Sequence, residues 1–355
     1  MRRLAPFVVL LACSHATEAK EASPPLEGLD LETAQASYAH LSDYGLFDAA
    51  GTTRAGMIAY DLTTPLFSDY TQKQRFVWMP PGRSAAYRDP EPFEFPVGTI
   101  LVKTFLVPKD LRRPEEPGTR LETRLLVRNA KEWIALPYVW NDARTDADLK
   151  LEGAQIDIAW TGSDGAKKGT KYLVPNALQC ARCHAGESKT LGPIGPKART
   201  LNRELTYDGK PENQLAHWAR VGVLSGAAAA PPRLPTWNDT STGSVSERAR
   251  AWLESNCAHC HDTKGTARTT GLYLTYGETD PLRMGICKPP AAAGRGSGGL
   301  LYDVVPGKPD ESIVAYRIAS TEEDVMMPEI GRSVVHAEGV ELVRAWIAGL
   351  AGACK

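Results

Sequence analysis

Two short motifs of the same form constrain this chain more than any other feature of its sequence. Residues 180–184 read CARCH and residues 257–261 read CAHCH, so both follow the pattern C-x-x-C-H. This pattern is typical of c-type haem attachment, because two thiols at this spacing can add to the two vinyl groups of one porphyrin while the next residue, a histidine, is aimed at the iron. The sequence therefore predicts two covalently bound haem c groups. The attachment residues and proximal iron ligands are expected to be Cys180, Cys183 and His184 for haem 1, and Cys257, Cys260 and His261 for haem 2.

Two other uses of paired cysteines fit the spacing less well. In a zinc ribbon the two cysteine pairs lie about 15–20 residues apart, whereas Cys183 and Cys257 are separated by far more of the chain. A disulfide within each C-x-x-C would not require a histidine directly after the second cysteine in both places. Covalent haem is therefore the expected cofactor, and since it is attached outside the cytoplasm, it also predicts an exported protein.

The first 13 residues are predicted to be an export signal. A pair of arginines precedes the apolar run LAPFVVLLA, which is too short to span a membrane, and Cys13 follows it. Residues 10–13, LLAC, resemble the lipobox of bacterial lipoproteins, in which the cysteine is lipidated; a plain secretory signal is the alternative. We expect a lipid anchor on Cys13 in the outer membrane, facing the periplasm, or otherwise a soluble periplasmic protein. Residues 14–28 are polar and are expected to form a disordered tether.

The middle of the chain has the character of an antiparallel sheet. Between about 70 and 175 the sequence consists of short runs rich in β-branched and aromatic residues, bounded by Pro, Gly, Asn and Asp. Residues 29–60 are predicted to be partly helical. The proline-rich stretch AAAAPPRLPTWNDTSTG then reads as a linker. The predicted fold class is α+β, with a β-rich domain over 29–240 that carries haem 1 and a second domain over 241–355 that carries haem 2.

Two helices are predicted to bracket the second domain. Ser244 and Glu247 form a possible capping box at the start of a helix that leads into the second motif. The stretch EGVELVRAWIAGLAG near the C-terminus has its apolar residues on one stripe. Residues 245–355 thus resemble class I cytochromes c, which have a first helix, C-x-x-C-H, a ligand loop with Met-Pro, and a C-terminal helix. The resemblance implies an all-α domain in which Met327, the residue before Pro328, ligates haem 2 and Met326 packs at the haem edge.

The distal ligand of haem 1 is less constrained. No methionine lies between His184 and the second motif, and His217 in NQLAHWAR is the one strong side-chain ligand there. Met57, Met79 and an open position are the alternatives. A methionine opposite the histidine raises the reduction potential of a haem. With His217 or an open site at haem 1, the reduction potential of haem 1 would therefore be lower than that of haem 2.

The cysteines left over are expected to form a disulfide. With Cys13 assigned to lipid, Cys287 and Cys354 remain outside the motifs, and two such thiols in an oxidising compartment usually pair. The formal net charge of −1 gives no field that would attract nucleic acid, and none is expected as a partner.

Over nearly everything after about residue 38, the chain resembles a bacterial family of di-haem c-type cytochromes of poorly defined role. The segments that carry this resemblance include DLTTPLFSDYTQKQRF, FPVGTILVKTF, PIGPKARTLN, NCAHCH, GSGGLLYDVVPGKPDESI and MMPEIGRSVVHAEGVELVRAWI. The resemblance implies electron transfer in the cell envelope with redox partner proteins. An enzyme, such as a peroxidase-like oxidoreductase, or a ligand sensor with an open haem 1 is the alternative.

Overall fold

A six-stranded antiparallel sheet forms the centre of the computed structural model, which describes residues 25–33, 36–48, 52–187 and 189–355. The strands of this sheet are, in chain order, β1 (Ile58–Ala59), β2 (Gln72–Trp78), β4 (Ile100–Val107), β5 (Thr119–Arg128), β6 (Trp133–Trp140) and β7 (Ala147–Leu149). They lie side by side in that same order, and each neighbouring pair is antiparallel. The strands expected between about 70 and 175 are therefore present.

Shorter strand pairs surround the sheet. They are the β8–β9 hairpin (Ala154–Thr161 and Lys167–Val174), the β10–β11 hairpin (Glu204–Tyr207 and Lys210–Asn213), and a short parallel pair of β3 (Ala85–Ala86) with β12 (Leu224–Ser225). The α-helices of the described residues are α1 (Ala177–His184), α2 (Ala198–Leu201), α3 (Gln214–Arg220), α4 (Val245–Asn256), α5 (Ile313–Ile318) and α6 (Ala337–Ala348).

The two faces of the sheet have different neighbours, because successive side chains of a strand point to opposite sides. On β4, Ile100 and Val102 join a core that includes Tyr44 and the N-terminal segment. On the other face, Leu101 packs with residues around α3, and Phe105 packs with the β8–β9 hairpin. Lys103 lies between these two on the same face. This second face is the one that the first motif approaches.

The predicted fold class is wrong in its second half. Residues 241–355, all of which are described, contain α4, α5 and α6, with the rest in turns, 3₁₀ turns and irregular backbone. The stretch KPPAAAGRGSGG explains part of this, because its prolines and glycines cannot sustain an α-helix. Isolated bridges, not helices, join Ile286 to Val304 and Tyr302 to Ser312. The chain is thus a mixed structure with a large antiparallel sheet, and this region is not an all-α class I cytochrome c domain.

The two helices expected in this region are nevertheless formed and pack against each other. Ser244 caps α4, and the backbone N–H of Ser244 donates in return to Glu247 at 2.8 Å, as the capping box predicts. Trp252 and Leu253 of α4 share a core with Trp346 of α6. The resemblance to class I cytochromes c therefore correctly predicted the helices at the two ends of this region and did not predict the structure between them.

The C-terminal region also packs directly onto the segment that leads into β2. The Asp69 carboxylate accepts hydrogen bonds from the backbone N–H groups of Ser333, at 2.6 Å, and Val334, at 2.9 Å. The Phe67 ring stacks on the His336 imidazole with 4.3 Å between ring centroids.

The helix expected within residues 29–60 is a further correction. The described part of that segment contains one 3₁₀ turn, Leu41–Tyr44, and the rest is irregular apart from β1. Gly45 follows the turn with a positive φ of 61°, a conformation that ends a helix and that glycine adopts at no steric cost.

Candidate functional site

The first C-x-x-C-H motif lies on the last turns of α1. Asn176 caps this helix, since its side chain accepts a hydrogen bond from the backbone N–H of Gln179 at 2.8 Å. His184 is the last helical residue, and its Nδ1 lies 2.9 Å from the carbonyl oxygen of Gly192. A carbonyl can only accept, so Nδ1 carries the proton and Nε2 is left with its lone pair. Burial lowers the pKa of His184 to about 4, which also keeps the ring in the neutral form that ligates metals.

The second motif forms the tight turn that follows α4. The backbone N–H of Cys257 continues the helix by donating to the carbonyl oxygen of Leu253 at 2.8 Å. His261 repeats the arrangement of the first motif, because its Nδ1 lies 3.3 Å from the carbonyl oxygen of Leu272, again leaving Nε2 as the available lone pair. Burial lowers the pKa of this histidine as well. Both motifs therefore present two thiols and one oriented, neutral imidazole.

The two motifs are in direct contact. The Thr266 hydroxyl donates to the carbonyl oxygen of Arg182 at 3.1 Å, and the Cys260 thiol lies 3.7 Å from the same oxygen. A second link joins the loops that follow the motifs, where the backbone N–H of Glu187 donates to the carbonyl oxygen of Lys264 at 2.8 Å. Residues far apart in sequence thus hold the two motifs at a fixed separation.

The two motifs line two adjoining cavities, and His184 and His261 each line one of them. The first, of about 230 Å³, is lined by Cys180, Cys183 and His184 together with residues of β4, β5 and β6. The second, of about 350 Å³, is lined by Cys257, Cys260 and His261. Residues that line both cavities are Cys183, Asn256, His259, Ile318, Met327, Pro328 and Ile330.

Met327 is held in the wall between the cavities. Its carbonyl oxygen accepts from Arg332 Nη2 at 2.8 Å, and its backbone N–H donates to the carbonyl oxygen of Arg317 at 3.1 Å. Met326, its neighbour in sequence, lines neither cavity. The structure thus brings the expected methionine to the second motif, and it also brings it to the first.

His217 lies away from both cavities. Its Nδ1 is 2.8 Å from the Glu212 carboxylate, and its ring stacks on Tyr207 with 3.5 Å between centroids. The alternatives Met57 and Met79 pack in two hydrophobic cores and line neither cavity. The structure therefore does not bring any of the three to the first motif.

The sequence reasoning overlooked His259, which lies between the cysteines of the second motif. It lines both cavities, and its buried Nδ1 has no hydrogen-bond partner among the described residues. Ligand atoms of Cys183, His259 and Cys260 lie within 4.8 Å of one another. A hydrogen bond from the Cys183 thiol lowers the pKa of Cys260 and raises that of Cys183. In the sequence, the signal that could have identified this residue was a histidine between the two cysteines of the second motif.

The remaining two described cysteines are joined. Cys287 and Cys354 form a disulfide with 5.2 Å between their Cα atoms, which ties the segment after the second motif to the C-terminus. Cys13 and the predicted signal and lipobox lie outside the described residues. Among the described helices, none has the length and apolar character needed to cross a bilayer.

Comparison with known proteins adds no relative. No family model, curated protein or solved structure matches the chain.

The residues present fit two covalently attached haems in several respects. Each cavity offers the pair of thiols that a porphyrin's vinyl groups require. His184 and His261 each have Nδ1 engaged, and Nε2 of each makes no hydrogen bond within the described part of the chain. The first cavity has apolar walls from Leu101, Leu126 and Ile318, and the second from Leu272, Ile313 and Val314. Such walls suit a largely apolar macrocycle.

Proposed function

We propose that the protein is an exported di-haem c-type cytochrome that transfers electrons in the bacterial cell envelope. The observation that carries the proposal is the direct contact of two C-x-x-C-H motifs on adjoining cavities, each with an oriented, neutral histidine. When bound, each haem supplies an iron that accepts and releases one electron. The same proposal has two further parts. The chain would belong to the di-haem family that its sequence resembles, and its partners would be redox proteins of the envelope.

The chain's own residues would hold, orient and space the two groups. The carbonyl oxygens of Gly192 and Leu272 fix the two imidazoles, which leaves Nε2 as the iron ligand. The Thr266 hydroxyl and the Arg182 carbonyl link the two attachment sites. Met327 would ligate haem 2, and the hydrogen bonds to its backbone hold it in place. Two redox centres held close together could pass an electron from one to the other.

The location of the protein is proposed from the N-terminal sequence. An acyl anchor on Cys13, in the outer membrane and facing the periplasm, would place the redox centres where exported haem proteins are assembled. Fractionation of cells that produce the wild type or Cys13→Ala tests this part separately. A soluble wild type would leave an ordinary secretory signal.

Haem stoichiometry tests the central claim. The mature protein, purified from an exporting bacterial host with a haem c maturation system, should carry two haems in its intact mass after acid-acetone treatment. The double variants Cys180→Ser/Cys183→Ser and Cys257→Ser/Cys260→Ser should each lose one haem. The matched control Cys287→Ser/Cys354→Ser, which removes two thiols outside the motifs, should keep both.

The same mass spectra can contradict the proposal. A single haem would remove the di-haem assignment. Bound zinc without haem would replace it with a metal site, and the cluster of Cys183, His259 and Cys260 would then supply the ligands.

A second function is favoured by the position of His217. This histidine lies outside the first cavity and so is not placed to be the sixth ligand of haem 1. If Met327 ligates haem 2, haem 1 would be left open, which would suit an enzyme or a ligand sensor. Two low-spin irons that do not bind carbon monoxide would support the carrier. A high-spin iron that binds carbon monoxide, lost together with Cys180 and Cys183, would support the enzyme or sensor.

A further inference from the structure

A row of three cations crosses the sheet beside the first motif. Arg75 of β2, Lys103 of β4 and Arg124 of β5 occupy the same register on adjacent strands, so their side chains share one face. All three line the cavity that also contains Cys180 and His184. Sequence reasoning did not bring them together, because strand register is not visible in a single sequence.

The cations of this row have more positive charge than their partners neutralise. Arg75 Nη1 donates to Asp61 at 2.8 Å, but the same carboxylate also pairs with Arg203 at 2.9 Å. Arg124 Nε donates at 2.8 Å to Glu122, which also accepts a hydrogen bond from the Tyr172 hydroxyl. Each carboxylate is therefore shared between two donors.

Two donors of the row lack a partner among the described residues. Arg75 is 5% exposed, and its buried Nη2 makes no hydrogen bond. Lys103 makes no ion pair or hydrogen bond there; its Nζ lies 4.9 Å from the centre of the Phe105 ring, which the Arg124 guanidinium also faces at 4.3 Å. Burial, followed by the charges of Arg75, Lys73 and Arg124, lowers the pKa of Lys103 well below its usual range, and an anion beside Lys103 would favour its charged form. A buried donor without an acceptor, such as Arg75 Nη2, is costly, and a bound anion would remove this cost.

The rest of the cavity wall also favours an anion. Lys197 and Arg332 add two cations to the lining, whereas Glu254 is the single carboxylate among the described lining residues and is paired with Lys197 at 2.7 Å. Arg332 donates hydrogen bonds to backbone carbonyl oxygens, including that of Met327. Lys103 and the free Nη2 of Arg75 are thus the groups still able to take a ligand.

We propose that Arg75, Lys103 and Arg124 bind a compact oxyanion, a small carboxylate or an inorganic ion of similar size, in the first cavity. Two acceptor oxygens would satisfy Arg75 Nη2 and Lys103 Nζ together, and Arg124 would add charge. That this anion meets haem 1 rests on the proposed function; the anion site itself does not. The same chemistry could come from the haem's own propionates, and the experiment separates the two sources.

Isothermal titration calorimetry on the purified holoprotein, with sodium nitrite and sodium formate as probes at constant ionic strength, measures the site directly. The wild type should bind one anion. Lys103→Met keeps the length of the side chain without its charge and should weaken binding at least tenfold, whereas Lys103→Arg should stay within about threefold. Lys109→Met, on an exposed lysine just beyond β4, is the matched control and should bind as the wild type does.

Folding does not confound this test. Lys103→Met replaces a half-buried amine that makes no ion pair or hydrogen bond among the described residues, so it should unfold no earlier in urea than the wild type. Absence of anion binding by the wild type, or equal binding by Lys103→Met, would overturn the proposal. A third outcome would assign the row to the haem. If the wild type bound no added anion and Lys103→Met also lost haem or shifted the haem 1 potential, the three cations would bind the haem propionates and the proposal would be overturned. Haem content, read from the intact mass, reports separately on the proposed function.

Discussion

Gly265 lies so close to Cys260 that a Cβ on Gly265 would meet the Cys260 carbonyl oxygen at 2.2 Å. That oxygen already accepts the backbone N–H of Ala267 at 3.0 Å, so it cannot move away without opening the turn. Glycine is needed here for close backbone approach and not for an unusual φ angle. The turn after the second motif is therefore set by the absence of one side chain.

Gly265→Ala should open this turn. We expect the free energy of unfolding to fall by about 1–3 kcal/mol, the usual cost of overpacking, and haem occupancy at the second motif to fall with it. Urea unfolding and intact mass measure the two effects. Gly277→Ala is the control, because a Cβ at exposed Gly277 meets nothing within 4 Å. Equal stability of the two variants would mean that the turn adapts.

Met327 and Met326 should have opposite phenotypes. Since Met327 lines the cavity of the second motif and Met326 does not, Met327→Ala should abolish the red charge-transfer band of a sulfur-ligated ferric haem. The potential of that haem should fall by about 0.1 V or more, within the roughly 0.8 V range that axial ligands span. Met326→Ala should keep the band. The reverse pattern would exchange their roles, and no change in either would remove methionine ligation.

Local sequence signals predicted local structure. The β-branched runs gave the strands β4, β5 and β6, and the Ser244–Glu247 capping box correctly marked the start of α4. The pairing of Cys287 with Cys354 followed from elimination, since the other described cysteines belong to the motifs.

Long-range placement was where prediction from the sequence failed. The class I resemblance depended on the two ends of residues 241–355, and the proline- and glycine-rich segment between them does not form an α-helix. His217 was a reasonable ligand by residue type, but its Nδ1 pairs with the Glu212 carboxylate and its ring stacks on Tyr207. The wall shared by the two cavities depends on how the motifs meet in space, and no pattern along the chain encodes this.

The disulfide should stabilise the protein strongly. It closes a loop of 67 residues between Cys287 and Cys354, which corresponds to about 4 kcal/mol in the chain-entropy model. Cys287→Ala/Cys354→Ala should therefore unfold at lower urea concentration. Dithiothreitol should destabilise the wild type and leave this variant unchanged, because thioether links to haem are not reduced. Insensitivity of the wild type to dithiothreitol would contradict a stabilising disulfide.

His336 should make the fold sensitive to acid. The Trp252 indole N–H donates to His336 Nδ1 at 3.0 Å, so Nδ1 must stay unprotonated, and Phe67 stacks on the ring. Burial is the main reason that the pKa of His336 is lowered to about 4. The unfolded state, with a histidine pKa of about 6.5, therefore binds more protons between pH 6.5 and pH 4. The stability contribution is complete above pH 6.5 and is lost as the pH falls through this window.

The size of the effect follows from the two pKa values. Between pH 7.5 and pH 5, His336 should remove about 1–2 kcal/mol from the free energy of unfolding of the wild type. His336→Asn keeps an acceptor for the Trp252 indole without a titrating ring, so this part of the acid loss should disappear. His40→Asn, at a largely exposed histidine, should retain it. Urea unfolding of the three proteins at both pH values measures the differences. If His336→Asn lost as much stability in acid as the wild type, the acid sensitivity would come from other groups.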